Sequence, residues 1–200
     1  MTITNGYTTL TTVRSVLGIP STDTSIDSLI EATVESVSRA IDNYTGRRFY
    51  TTSETRYFAP VTIDEIFIDD LASLSSLKTD DDADGTFETT WASGDYHLLP
   101  YNAALENRPY TMIEISGHGD YSFSCSVRKC VQIVGAFGYC STANQPKPIA
   151  EAAKLQSTRL FKRKDAPFGV LGGGEFGQPM SIPDLDPDVK MLLSPYVRRV

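Results

Sequence analysis

An α+β fold is expected: a helical core, made of a long N-terminal helix packed with C-terminal helices, carrying an inserted antiparallel β-sandwich or small barrel. Two observations predict it. Apolar residues recur at helical spacing from Ile26 to Tyr44 and again from Ile149 to Leu160, with polar residues on the opposite face. Between these stretches the pattern changes to short β-branched and aromatic runs separated by Gly, Pro, Asp and Asn, which is how antiparallel strands read. The helical core is therefore assigned residues 1–50 and 146–200, and the β domain residues 51–145.

The bulk properties set limits on class. Two hundred residues make one elaborated domain or two small ones, and 40% apolar content with ten tyrosines excludes a disordered chain. No apolar run approaches the ~20 residues of a membrane span, and Met1 to Leu10 has no signal-peptide pattern. A soluble cytosolic product with no membrane partner is expected. Cys125, Cys130 and Cys140 are an odd number of cysteines, expected as free or buried thiols. The net charge of −7 is unevenly spread. From Glu54 to Asp95, eleven acidic residues stand against Arg56 and Lys78; from Lys147 to Asp165, six basic residues stand against Glu151 and Asp165. Such polarity favours head-to-tail or ring association, in which unlike faces meet; two differently solvated faces of a monomer explain it equally well.

Taken in order, Thr11 or Thr12 caps a short helix through Leu17, closed by Gly18 and stopped by Pro20. Ser25 or Thr24 caps the long helix, whose stripe is Ile26, Leu29, Ile30, Thr33, Val34, Val37, Ala40, Ile41 and Tyr44 before Gly46. Strands are expected at 55–59, 63–68, 74–79, 86–90, 96–99, 112–116 and 131–137, with Gly135 at a bulge or close approach. The β region is either inserted into the helical domain or forms one unit with it; insertion is preferred.

The stretch from Pro146 to Gly177 draws the most attention. Pro148 suits a first helical turn, and Ile149, Ala152, Ala153, Gln156 and Leu160 share one face, facing the long helix. Lys162, Arg163 and Lys164 fall in the last turn, where cations complement the helix dipole. Pro167 ends the helix, and Phe168 to Gly177 holds five glycines in ten residues beside Phe168, Val170, Leu171 and Phe176. A pliable apolar loop of this kind suggests a surface completed by a partner. Asp186 and Pro187 then open a last helix with Val189, Leu192 and Leu193 as its apolar face. Pro195 ends it, leaving Tyr196 to Val200 exposed or partner-bound.

Little supports catalysis or metal binding. Asp80, Asp82, Asp84 and Gly85 match the first half of an EF-hand loop, but Trp91 stands where the bidentate Glu is needed; a hairpin turn using Asp84-Gly85 explains the same residues. His118, Cys125, Cys130 and Cys140 lack the spacing of a zinc site. Ser116, His118 and Asp120 read as a turn rather than a triad, and Gly172 to Gly174 lack the Lys-Ser/Thr of a phosphate loop. The pI near 4.8 argues against strong non-specific DNA binding. No enzyme, cofactor or metal is expected.

Both ends of the chain resemble the head–tail connector (adaptor) proteins of long-tailed phages, in particular larger members with an inserted β domain. The N-terminal match is Thr12-Val-Arg-Ser-Val-Leu-Gly18 followed by Ser25–Tyr44 and Thr45-Gly46-Arg47; the C-terminal match runs from Arg159 to Val170 and from Leu185 to Tyr196. The Asp-Ala-Asp-Gly turn at Asp82–Gly85 fits the β region of such members. The resemblance implies a non-enzymatic homo-oligomeric ring, usually a dodecamer, beneath the portal protein in the virion neck, made in the bacterial host cytoplasm. It would extend the DNA channel, let genomic DNA pass without specific binding, and offer a platform to the next neck or tail protein. By position, Asp186 to Val200 would dock on the portal through Tyr196, Val197, Arg198, Arg199 and Val200, and deleting this segment is expected to abolish attachment while sparing the fold. Lys162, Arg163, Lys164, Phe168, Val170, Leu171 and Phe176 would form the subunit interface. A head-closure or tail-completion neck protein, and a small module binding peptide or nucleic acid through the basic helix end, are the alternatives.

Overall fold

A computed structural model describes residues 2–117, 121–123, 129–164 and 185–198. The chain divides into two compact units, Met1–Arg47 with Gln145–Val200, and Arg48–Asn144.

The first unit is helical: α1 (Leu10–Leu17), α2 (Asp27–Thr45), α3 (Lys147–Arg163) and α4 (Pro187–Leu193). The cap of α1 is Thr9, not Thr11 or Thr12: its hydroxyl accepts the Thr12 N–H at 3.2 Å, while Gly18 closes the helix in the left-handed conformation. Neither Thr24 nor Ser25 caps α2. The Ser25 hydroxyl and N–H both donate to Asp23 Oδ1, at 2.6 and 3.0 Å, and α2 starts after Ile26 without a side-chain cap. Gly46 ends it with φ 66°.

The buried face of α2 is rotated from the expected stripe. Ile30, Val34, Val37 and Ile41 are buried, but so are Ser38 and Thr45, whereas Leu29 and Tyr44 are exposed. Ser38 and Thr45 tolerate burial because each hydroxyl donates to the carbonyl one turn back, Val34 at 2.7 Å and Ile41 at 2.8 Å. Ser38 also accepts the Tyr7 N–H at 3.0 Å, which pins the N-terminal segment across α2. As expected, α2 packs on α3. Because α1 and α4 also pack on α3, its buried arc reaches Ser157, Thr158 and Phe161, and Leu160 is left exposed. Buried Arg14 organises the polar loop before α2. Its guanidinium donates to the Pro20 and Asp23 carbonyls and pairs with Asp27 at 3.1 Å.

The second unit is one six-stranded antiparallel sheet: β1 (Thr52–Phe58), β2 (Glu65–Thr79), β3 (Thr89–Thr90), β4 (Tyr96–Leu99), β5 (Tyr110–Ile115) and β6 (Val131–Phe137). The order is β1-β6-β2-β5-β4, with β3 also on β2. The two strands expected at 63–68 and 74–79 are a single strand, β2. It pairs with β5 from Glu65 to Leu71 and with β6 from Leu71 to Thr79, bending at register shifts. Asp69 and Asp70, which lie between the two expected strands, are carried inside it. Asp69 pairs with Arg56 at 2.7 Å, and the Asp70 carbonyl accepts the Gly138 N–H at 2.7 Å.

Alternation along β6 puts Val131, Ile133 and Phe137 into a core with Ile66, Ile68, Leu71, Leu77 and Ile113. Trp91 closes that core, stacked on Phe123 at 4.8 Å with its Nε1–H donating to Thr79 Oγ1 at 3.1 Å. Gly135 is the expected close approach: a Cβ there would stand 2.5 Å from the Ser73 carbonyl oxygen, opposite the irregular part of β2.

Candidate assembly surfaces

The C-terminal helix is held by charge as well as by apolar packing. Val189 and Leu193 are fully buried, with Leu192 half-buried. Two arginines one turn apart on α3 reach α4. Arg159 grips the Asp188 carboxylate with both terminal nitrogens, one of them at 2.7 Å, and stands 3.4 Å from Asp186. Arg163 bonds Asp186 at 2.8 Å. Asp186 is the expected N-cap by position, yet its side chain makes no capping bond; it faces these arginines, and its N–H donates to Gln156 Oε1 at 3.3 Å.

A bidentate arginine–carboxylate pair is geometrically selective. The Arg159 hydrogen bond, helped by the Asp188 backbone N–H, lowers the Asp188 carboxyl from its ordinary 3.8 to about 2. A depressed folded-state value stabilises the fold above the ordinary carboxylate range and ceases to do so as pH falls through the folded value. The difference in melting temperature between wild type and Asp188→Asn is therefore expected to be full above about pH 4 and to disappear by about pH 2. Melting curves of the two proteins across that range check it.

The tail beyond α4 is not simply exposed. Ser194–Tyr196 form a 3₁₀ turn, and Tyr196, Val197 and Arg198 are half-buried. The Arg198 N–H donates to the Thr45 carbonyl at 2.8 Å, which satisfies one of the orphan acceptors at the end of α2. Gly46 leaves room beside it, since a Cβ there would lie 3.6 Å from Arg198 Cβ. What remains outermost on this segment is Met191, 67% exposed, with Ser194 and Pro195. Arg199 and Val200 lie outside the described residues.

At the end of α3, Lys162 and Lys164 are exposed and Arg163 is half-buried on Asp186. Lys164 Nζ sits 4.7 Å over the Phe161 ring, a cation–π contact. Phe168, Val170, Leu171 and Phe176 lie outside the described residues. The structure thus brings Arg163 to the C-terminal helix and turns Lys162 and Lys164 outwards. Sequence reasoning missed Arg159 and Asp188 as partners, because 29 residues separate them and no local pattern joins them.

The acidic loop between β2 and β3 is longer than the tight turn expected. Asp80 organises it, accepting the Ala83 and Gly85 N–H groups at 2.8 and 3.0 Å. Positive φ falls on Ala83 and Gly85 rather than Asp84. Carboxylate oxygens of Asp80, Asp82, Asp84 and Glu88 lie within 4.8 Å of one another. Backbone N–H groups already engage Asp80, Asp82 and Asp84, and the Thr89 hydroxyl donates to the neighbouring Asp81 at 2.6 Å, so an Asx-turn network explains the aspartates. Cys130 and Cys140 are buried free thiols. Burial pushes the Cys140 thiol up to about 11, which disfavours the nucleophilic thiolate. His118, Asp120 and Cys125 lie outside the described residues.

No protein-family model matches the sequence, and no curated protein is significantly similar to it. Solved structures are similar in fold. A chain of the structure described as "Neck of empty GTA particle computed with C6 symmetry" superposes with a TM-score of 0.59 at 16% identity, over 100% of this chain and 94% of that one. One from "Neck of native GTA particle computed with C12 symmetry" gives 0.54 at 19% identity, over 96% and 89%. A third, from "Virion of native gene transfer agent (GTA) particle", gives 0.57 at 18% identity, over 96% and 90%. The α+β fold of this chain, helices together with a six-stranded antiparallel sheet, is the fold of these particle chains along nearly their whole length.

Proposed function

We propose that this protein is a structural component of the neck of a phage or phage-like particle, acting as a head–tail adaptor that forms a ring beneath the portal. The observation that carries the reading is the fold match over the full chain to neck chains solved in particles of C6 and C12 symmetry. Cyclic symmetry of that order supports a homo-oligomeric ring, and twelve copies agree with the connector resemblance of the terminal motifs. The helical unit is the ring core, the β unit its insertion.

Within this reading, the C-terminal segment around Tyr196, Val197, Arg198, Arg199 and Val200 meets the portal. The end of α3, Lys162 to Lys164, and the loop carrying Phe168, Val170, Leu171 and Phe176 meet a neighbouring subunit. The face of the ring away from the portal takes the next neck or tail protein, and genomic DNA passes through the lumen without sequence readout, in keeping with a chain of net charge −7. The protein works by assembly rather than by chemistry. Burial holds Cys140 as a thiol. Imaging of particle necks bearing a tagged subunit tests the reading, with tag density expected in a ring directly below the portal.

A further inference from the structure

The outer face of the β2–β5–β4 sheet carries two rows of side chains that the sequence alone does not reveal. Register places Phe67 opposite Met112 and Met112 opposite Leu99. The neighbouring row is Glu65 opposite Glu114, and Glu114 opposite His97. Directly opposed residues of an antiparallel pair share a face, with Cβ atoms about 5 Å apart. The alternate residues Ile66, Ile113 and Leu98 turn to the core side. One row is therefore apolar, and the other sets the carboxylates Glu65 and Glu114 beside His97, side by side across three strands. Phe67 is 59% exposed, and Tyr101, whose hydroxyl donates to Glu114 at 3.0 Å, is 64% exposed.

Two features of this face are unfavourable in isolation. An exposed phenylalanine leaves apolar area in water. Glu65 and Glu114 are like charges set directly opposite, which destabilises a strand pair, and neither has a cationic partner among the described residues. Both costs would fall if a surface carrying ammonium groups on apolar stems covered the face. The chain owns such a surface: Lys162 and Lys164 are exposed at the end of α3.

We propose that the outer face formed by Phe67, Met112, Leu99, Glu65 and Glu114 is a docking surface for a second copy of this chain, which brings the lysine-bearing end of α3 onto it. The two patches are unlike, so the contact is heterologous and repeats head to tail, the geometry that closes into rings. This rests on the ring reading above and gives Lys162 and Lys164 a specific destination within it.

The test is charge reversal with compensation. Glu65→Lys with Glu114→Lys places like charges across the contact. It is expected to weaken self-association at least about tenfold, by native mass spectrometry and by subunit occupancy in purified necks. Adding Lys162→Glu and Lys164→Glu to the same chain is expected to restore assembly. Unchanged melting of the isolated variants shows that the sheet is intact, and the milder Glu65→Gln with Glu114→Gln, if the reversed chain melts early, is expected to reduce assembly in the same direction. Wild-type assembly by the reversed variant overturns the proposal and leaves the ring reading standing. So does failure of the compensating pair, and so does a variant that forms rings but loses a different neck protein. A wild-type subunit found as single copies in the neck overturns the ring reading itself, and the proposal with it.

Discussion

A chain stopped after Pro195, lacking Tyr196 to Val200, is expected to fold and yet to leave heads without tails. The residues that hold α4 remain: Val189 and Leu193 stay buried, and Asp186 and Asp188 keep Arg163 and Arg159. The fold loses the bond from the Arg198 N–H to Thr45, about 1 kcal/mol, and some half-buried side-chain area. Attachment loses the whole proposed portal contact. A few interface anchors typically carry ~2 kcal/mol or more each, so joined particles should fall by about 100-fold or more. Melting temperature and electron-microscopic counts of joined particles read the two effects separately, and normal joining by the shortened chain would show that the tail does not hold the portal. The structure corrects the simpler experiment. Deleting everything from Asp186 would not spare the fold, because it strips two buried aliphatic residues, each worth about 2–5 kcal/mol when truncated in a core, and leaves Arg159 and Arg163 without their carboxylates.

The second large effect lies in the β unit. Gly138 has φ 139°, and a Cβ built on it would stand 1.9 Å from the Tyr50 carbonyl oxygen and 3.2 Å from Thr51 Cα. Its own N–H is committed to the Asp70 carbonyl at 2.7 Å, so the backbone is tied where it would have to move. Gly138→Ala is expected to cost about 4 kcal/mol or more and to unfold the β unit, seen as rapid proteolysis between residues 48 and 144. Gly94→Ala is the control. Nothing lies within 4 Å of its Cβ position, and its melting should stay within about 0.5 kcal/mol of wild type. Equal behaviour of the two variants would contradict the close approach of β6 to the chain at Tyr50.

Much of this architecture could be read from periodicity. The amphipathic stripes located α2 and α3, and alternation placed β4 and β6 at their observed limits. The failures have specific causes. Ser38 and Thr45 look like surface residues of α2, but a hydroxyl bonded one turn back can be buried. Asp69-Asp70 looks like the end of a strand because Arg56, the cation that pairs with Asp69, lies 13 residues away on a different strand. The Arg159 and Arg163 contacts to α4 depend on helices meeting across residues 165–184, and no local pattern encodes that meeting. The same distance in sequence hides that Arg163 bonds Asp186 within its own chain, while Lys162 and Lys164 are exposed. The two-row face of Phe67, Met112 and Leu99 beside Glu65, Glu114 and His97 needs the register of three strands at once. A one-residue slip in any of them would send its side chains to the other face.

The proposed role is above all positional, that of a ring subunit between head and tail. Imaging particle necks that carry a small tag on the surface loop near Gly94 measures it directly. The expected result is tag density repeated twelvefold around the channel axis, immediately below the portal and absent from capsid and tail tube. Tag density along the tail, at a closed plug further down the neck, or absent from particles altogether would contradict it.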